Sequence, residues 1–185
     1  MTLGEALAAA RQRIERLDAR LLLQYATGCT HTDLLARPET PVIAPAWAQF
    51  AEWVERRAAG EPLAYLVGEA EFRGRVFMVT PDVLIPRPET EVLIELALAR
   101  LAGLEKPRVV DLGTGSGIVA ISLALECPQA RVFAVDLSPG AISIARNNAG
   151  RLGAAVDMRQ GSWLDRKSTR LNSSHLKLSR MPSSA

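Results

Sequence analysis

The sequence predicts an α/β fold: a small helical N-terminal domain, a β-hairpin, and the first half of a doubly wound parallel sheet. Three observations carry this. Apolar residues recur at three- and four-residue steps through the first sixty positions. From residue 108 onward, short apolar runs alternate with helical segments. A glycine-rich turn joins the first of those runs to the helix behind it, and an acid ends the second run. The 185 residues, 48% of them hydrophobic, with 22 basic and 20 acidic side chains, can bury a sizeable core and exclude a disordered, collagen-like or disulfide-stapled chain.

The helical part opens on Thr2-Leu3-Gly4-Glu5, a capping box in which the threonine oxygen accepts a first-turn amide and Glu5 reaches back. Leu3, Leu7, Ala10, Ile14, Leu17 and Leu21 then form one apolar stripe, and Gly28 is the expected stop. A short helix is expected around Thr32–Ala36, ahead of Pro38. Pro45 opens a third helix, with Trp47, Phe50, Ala51, Val54 and Ala58 on one face and Gly60 at its end.

The hairpin is read from Glu71-Phe72 and Val76–Val79 flanking Arg73-Gly74-Arg75, where Gly74 can take positive φ. Ile85-Pro86-Arg87-Pro88 cannot be helix interior, since each proline lacks a donor and restricts its predecessor. Helical spacing returns over Glu89–Leu101 through Val92, Leu93, Leu96, Ala97 and Leu101. Arg108–Leu112 is a buried strand, Ile118–Glu126 a helix halted at Pro128, and Arg131–Asp136 the next strand. Ser138-Pro139 caps and opens a helix to about Arg151, and Ala155–Arg159 is a third strand.

Residues 1–165 hold 17 basic and 20 acidic side chains, whereas residues 166–185 hold five basic groups and no acid. Six of eleven serines and two of three lysines also fall in those last twenty positions, so the tail is foreign in composition and is expected to be disordered and non-native. The basic balance is therefore not taken as a nucleic-acid signal. Two cysteines 98 positions apart and two histidines support no metal site. No apolar run approaches the ~18 residues of a membrane helix, and Glu5 and Arg11 interrupt any signal-peptide core. A soluble, cytoplasmic protein is expected.

The chemistry lies in Asp111-x-Gly113-x-Gly115-x-Gly117, at a strand's carboxyl end and opening a helix, with Asp136 ending the next strand. Glycines there let a ligand approach the backbone, and the helix N-terminus offers unpaired amides. A carboxylate at the second strand's end can accept both hydroxyls of a ribose. The spacing is not the G-x-G-x-x-G of dinucleotide sites, and Asp111 would repel a pyrophosphate. S-adenosylmethionine carries an ammonium and a sulfonium and has no phosphate, so the loop favours that cofactor over NAD.

Glu61–Gly68, Glu71-Phe72, the segment Val83-Leu84-Ile85-Pro86-Arg87-Pro88-Glu89-Thr90-Glu91, Asp111–Gly117, Val135-Asp136-Leu137-Ser138-Pro139 and Gly161-Ser162-Trp163 resemble the release-factor glutamine methyltransferases (the HemK/PrmC family). The match covers residues 1–164. It implies a helical, substrate-recognising N-terminal domain (1–60), a linker with the β-hairpin (61–88), the N-terminal half of a Rossmann-like methyltransferase domain with its first three strands (89–165), and the tail (166–185). It also implies S-adenosylmethionine as cofactor, methylation of glutamine in the Gly-Gly-Gln motif of peptide chain release factors, and a monomer with no direct nucleic-acid or membrane partner. By that resemblance Asp111, Gly113, Thr114, Gly115, Ser116 and Gly117 line the cofactor, Asp136 binds its ribose, Trp163 borders its adenine, and Arg87 lies on the substrate side. The family's Asn-Pro-Pro-Tyr motif, which holds the substrate amide, does not occur in the sequence, so no catalytic residue is assigned and residues 1–185 are expected to be a truncated, inactive form. With half the sheet gone, Val109, Val110, Val132 and Val135 are expected to be partly open. The alternatives are a methyltransferase on the same scaffold acting on nucleic-acid adenine or a ribosomal protein, and a non-catalytic fragment that docks to a partner.

Overall fold

The computed structural model describes residues 1–162 and the backbone of 176–179. It divides into two compact units, Met1–Gly68 and Glu69–Ala185.

The first unit is helical: α1 (Leu3–Ala10), α2 (Arg16–Thr27), α3 (His31–Ala36), α4 (Ala44–Ala58) and α5 (Leu63–Val67). The Thr2 capping box forms, the Thr2 N–H donating to Glu5 Oε2 at 2.8 Å, and Thr30 with Asp33 builds a second one before α3. Gly28 ends α2 in the left-handed region, as its position in the sequence suggests. The single stripe expected from Leu3 to Leu21 does not exist. The chain turns between α1 and α2, and the buried phase moves to Ala19, Leu22 and Leu23, leaving Leu17 half exposed. These residues pack with Leu3, Leu7, Phe50 and Val54, and Asp18 accepts from Arg57 Nε at 2.6 Å to tie α2 to α4. Leu66 is buried in this same core, so α5 is part of the unit, and residues 61–68 are not linker.

The second unit starts with the hairpin β1 (Glu69–Phe72) and β2 (Arg75–Met78), with Phe72 opposite Arg75. The two turn residues, Arg73 and Gly74, both have positive φ, which is the geometry a two-residue hairpin loop requires. Phe72 and Phe77 meet edge to face with centroids 6.4 Å apart and enter the main core, so the hairpin is built into this unit. Next come α6 (Glu89–Leu101), β3 (Arg108–Leu112), α7 (Ile118–Glu126), β4 (Arg131–Asp136), α8 (Pro139–Leu152) and β5 (Val156–Gln160). The buried face of α6 is Thr90, Ile94, Ala97 and Leu101. Val92 and Leu96, which carry the helical spacing in the sequence, are exposed, because two apolar stripes run along this helix and packing selects only one.

The sheet is parallel, in the order β5-β4-β3-β6, where β6 is Leu176–Ser179. Three of these strands are the ones read from sequence. The fourth lies within the segment expected to be disordered throughout. Its backbone pairs with the outer edge of β3, from Val109↔Leu176 to Leu112↔Ser179, and satisfies N–H and C=O groups that would otherwise lack partners. The four valines expected to be open are buried. Val109 and Val132 pack with α7 and α8 in the main core, while Val110 and Val135 form a second cluster with Leu112 and Phe133 on the opposite face. Among the described residues, no helix is long and apolar enough to cross a membrane.

Candidate functional site

The carboxyl ends of β3, β4 and β5 are laced together by backbone hydrogen bonds. Gly113 and Thr114 N–H donate to the Val135 carbonyl at 2.8 and 3.1 Å, and Gly161 N–H donates to the Asp136 carbonyl at 2.9 Å. The glycine loop is thereby held beside the end of β4, which brings Asp111 through Gly117 and Asp136 into one corner, the place where open α/β sheets bind ligands.

Each loop glycine has positive φ: +75° at Gly113, +56° at Gly115 and +82° at Gly117. Their surroundings differ. A Cβ at Gly113 or Gly115 would meet no atom within 4 Å, so the space beside the loop is open. A Cβ at Gly117 would lie 2.8 Å from Ile121 Cδ1 and 3.1 Å from Ala145 Cβ, so this glycine serves the packing of α7 on α8. The shared spacing in the sequence thus divides into two open positions and one packed one.

Two carboxylates frame the loop. Asp111 is buried and its Oδ2 accepts from Thr114 Oγ1 at 2.7 Å, which fixes the threonine over the strand end. Asp136 has both oxygens oriented by backbone, Oδ2 accepting from Gly115 N–H and Oδ1 from Ser138 N–H, each at 2.9 Å. A carboxylate oxygen has further lone pairs, so two oriented oxygens can still accept hydroxyl donors. Ser138 in turn caps α8 by accepting from Ala141 N–H at 3.2 Å.

Arg87 lies on the exposed loop before α6, and its carbonyl accepts from Thr90 N–H. Trp163 lies outside the described residues. No cluster of three or more His, Cys, Asp or Glu side chains that could hold a metal occurs among the described residues.

Sequence reasoning missed Asn148. It is fully buried on α8, with its side-chain NH2 donating to the carbonyls of Ser116 (2.9 Å) and Met78 (3.0 Å) and its Oδ1 accepting from Met78 N–H (2.7 Å). The available signal was an amide in the buried stripe Ala141, Ile142, Ala145, Ala149. A second missed feature sits at the other end of α7. Glu126 takes a two-pronged contact from Arg73 (3.1 and 2.8 Å) and a third bond from Arg75 (2.8 Å). The Arg73 hydrogen bonds hold the Glu126 carboxyl below the usual range, against the opposing pull of desolvation and with help from Arg75.

Comparison with known proteins gives a PrmC N-terminal domain over residues 3–68 and a methyltransferase domain over 109–177. The release factor glutamine methyltransferase of Bordetella pertussis is 51% identical over 155 residues, which are 82% of this chain and 56% of that protein. That of Neisseria gonorrhoeae is 48% identical over 153 residues, 83% of this chain and 55% of the relative. Among solved structures, an RNA methyltransferase from Salinibacter ruber in complex with S-adenosyl-L-homocysteine aligns with 42% of this chain and 50% of its own. Its TM-score is 0.36 and its identity 30%, a partial likeness. The chain spans about half the length of the curated relatives it matches. With both domains in order and about half the residues identical over four fifths of its length, the chain belongs to the release factor glutamine methyltransferase family.

Proposed function

We propose that the second unit binds S-adenosylmethionine at the glycine loop and serves methylation of the glutamine side-chain nitrogen in the Gly-Gly-Gln motif of peptide chain release factors. The observation that carries the cofactor reading is the open space at Gly113 and Gly115 beside an oriented carboxylate, Asp136. The residues present fit the group. Gly113, Thr114, Gly115, Ser116 and Gly117 offer a backbone that a ligand can approach closely, and Asp136 offers acceptors to ribose hydroxyls. The buried Asp111 places an acid beside the loop, a residue type that suits a cationic ligand and opposes a pyrophosphate. When bound, the cofactor supplies a methyl group activated on sulfonium sulfur. Trp163 is assigned to the adenine and Arg87 to the substrate side.

The release-factor reading rests on the family. An amide nitrogen is a poor nucleophile because its lone pair is delocalised, so the substrate glutamine must be oriented and polarised by hydrogen bonds. The family's Asn-Pro-Pro-Tyr motif for this task does not occur in residues 1–185. These residues are therefore proposed to bind cofactor without transferring methyl, as a cytoplasmic monomer in which the helical unit recognises the protein substrate.

Calorimetry tests the cofactor assignment. S-adenosylhomocysteine should bind residues 1–185, and Asp136→Ala should weaken binding by ~1.5–3 kcal/mol, the scale of hydrogen bonds to a charged group. Unchanged affinity in the variant would remove Asp136 from the site, and binding of NAD instead would refute the cofactor. A methylated release-factor glutamine after incubation with residues 1–185 and labelled cofactor would show that the missing motif is dispensable.

A further inference from the structure

The carboxamide of Asn148 stands where the peptide of a neighbouring strand would stand. It donates to the carbonyl of Met78 and accepts from the N–H of the same residue, the last of β2, and its second amide hydrogen goes to the carbonyl of Ser116 inside the glycine loop. One fully buried side chain therefore joins a residue 70 positions away in the hairpin to one 32 positions away in the loop. An alanine or leucine would continue the stripe of Ala141, Ile142, Ala145 and Ala149 without desolvating an amide, so filling the core does not account for this residue. Its specific consequence is to satisfy a loop carbonyl and thereby fix the plane of the Ser116–Gly117 peptide, at the point where Gly117 caps α7. Ala145, one turn earlier on α8, closes against Gly117 from the same side. The loop thus rests on α8 at two successive residues, one contact apolar and one polar.

We propose that Asn148 is a positioning residue for the cofactor loop: it orients the Ser116–Gly117 peptide by reference to the hairpin, so that affinity for the cofactor depends on how β2 is seated. The proposal rests on the reading that the loop binds S-adenosylmethionine. Asn148→Asp keeps the shape and the acceptor for Met78 N–H but turns a carboxylate toward two carbonyls. Asn148→Ala removes all three bonds. Both should raise the dissociation constant of S-adenosylhomocysteine at least tenfold at a temperature where circular dichroism shows the variant folded. Leu101→Ala, which opens a cavity beneath α6, should lower the melting temperature and leave that constant within twofold, separating a positioning effect from lost stability. Asn148 variants that bind within threefold of the wild type would overturn the proposal while leaving the cofactor reading intact. No binding by the wild type would overturn both. If neither variant folds, the wild type decides. Saturation with S-adenosylhomocysteine should slow hydrogen exchange at the Met78 amide tenfold or more, and unchanged exchange there would overturn the proposal.

Discussion

The two ends of α7 are built on opposite plans. At the N-terminus side chains are missing: three glycines with positive φ, two of them facing open space, surround a backbone held by carbonyls and a carboxylate. At the C-terminus side chains are added: Glu126 is gripped by two arginines of the hairpin, and Arg73 itself adopts positive φ, a conformation that costs a non-glycine residue roughly 1 kcal/mol or more. The contrast separates open space from scaffold on a single nine-residue helix. Rigidity is supplied where the hairpin docks, and access is kept where the strands end.

The largest expected effect tests whether Gly117 belongs with the scaffold despite lying in the glycine loop. Gly117→Ala combines left-handed strain with a Cβ driven into Ile121 and Ala145, and should destabilise the second unit by ~3 kcal/mol. Urea unfolding measures this, and a loss under ~1 kcal/mol would place Gly117 with the open glycines.

Next in size is Glu126→Gln, which keeps the shape but removes the charge that two guanidinium groups share. The groups are about one-fifth to one-quarter exposed, so after screening the loss should be ~1–2 kcal/mol. Its pH dependence has a definite sign. The folded-state pKa of Glu126 is depressed, so its contribution is complete above the ordinary glutamate value of ~4.3 and disappears as pH falls through the lower folded value. The stability gap between wild type and Glu126→Gln should therefore narrow steadily below about pH 4.3. A gap constant from neutral to acid pH would show that Glu126 acts through packing alone.

The smallest effect on stability should come from Gly115→Ala, where only the left-handed φ opposes the change, at ~1 kcal/mol. A methyl group in the open space should cut S-adenosylhomocysteine affinity by tenfold or more. Retained affinity would mean the ligand lies elsewhere along the rim.

Much of this second unit was legible from residues that are neighbours in the chain. Arg108–Leu112, Ile118–Glu126 and Arg131–Asp136 have the same limits in sequence and structure, because an apolar run, glycines that end it and Pro128 are all local signals. The corner holding Asp111, the glycines and Asp136 follows from strand–helix–strand order by the same logic. Spacing does not say which apolar residues of a helix a neighbour covers, as with Val92 and Leu96, nor where the chain turns between two helices, as with Leu17. Composition failed at Leu176–Ser179, where the open edge of β3 outweighed the polar surroundings of the segment.

What the sequence determined by itself is thus the order of elements, the glycine loop and the acid after it, each set by chemistry acting over a few residues. Tertiary structure alone decided that Gly117 packs while Gly113 and Gly115 stay open, that Glu126 anchors the hairpin, and that Asn148 ties the hairpin to the loop. Each of these depends on the burial and hydrogen bonding of groups between 28 and 70 positions apart, and such groups become neighbours only after the sheet and α8 have closed around them.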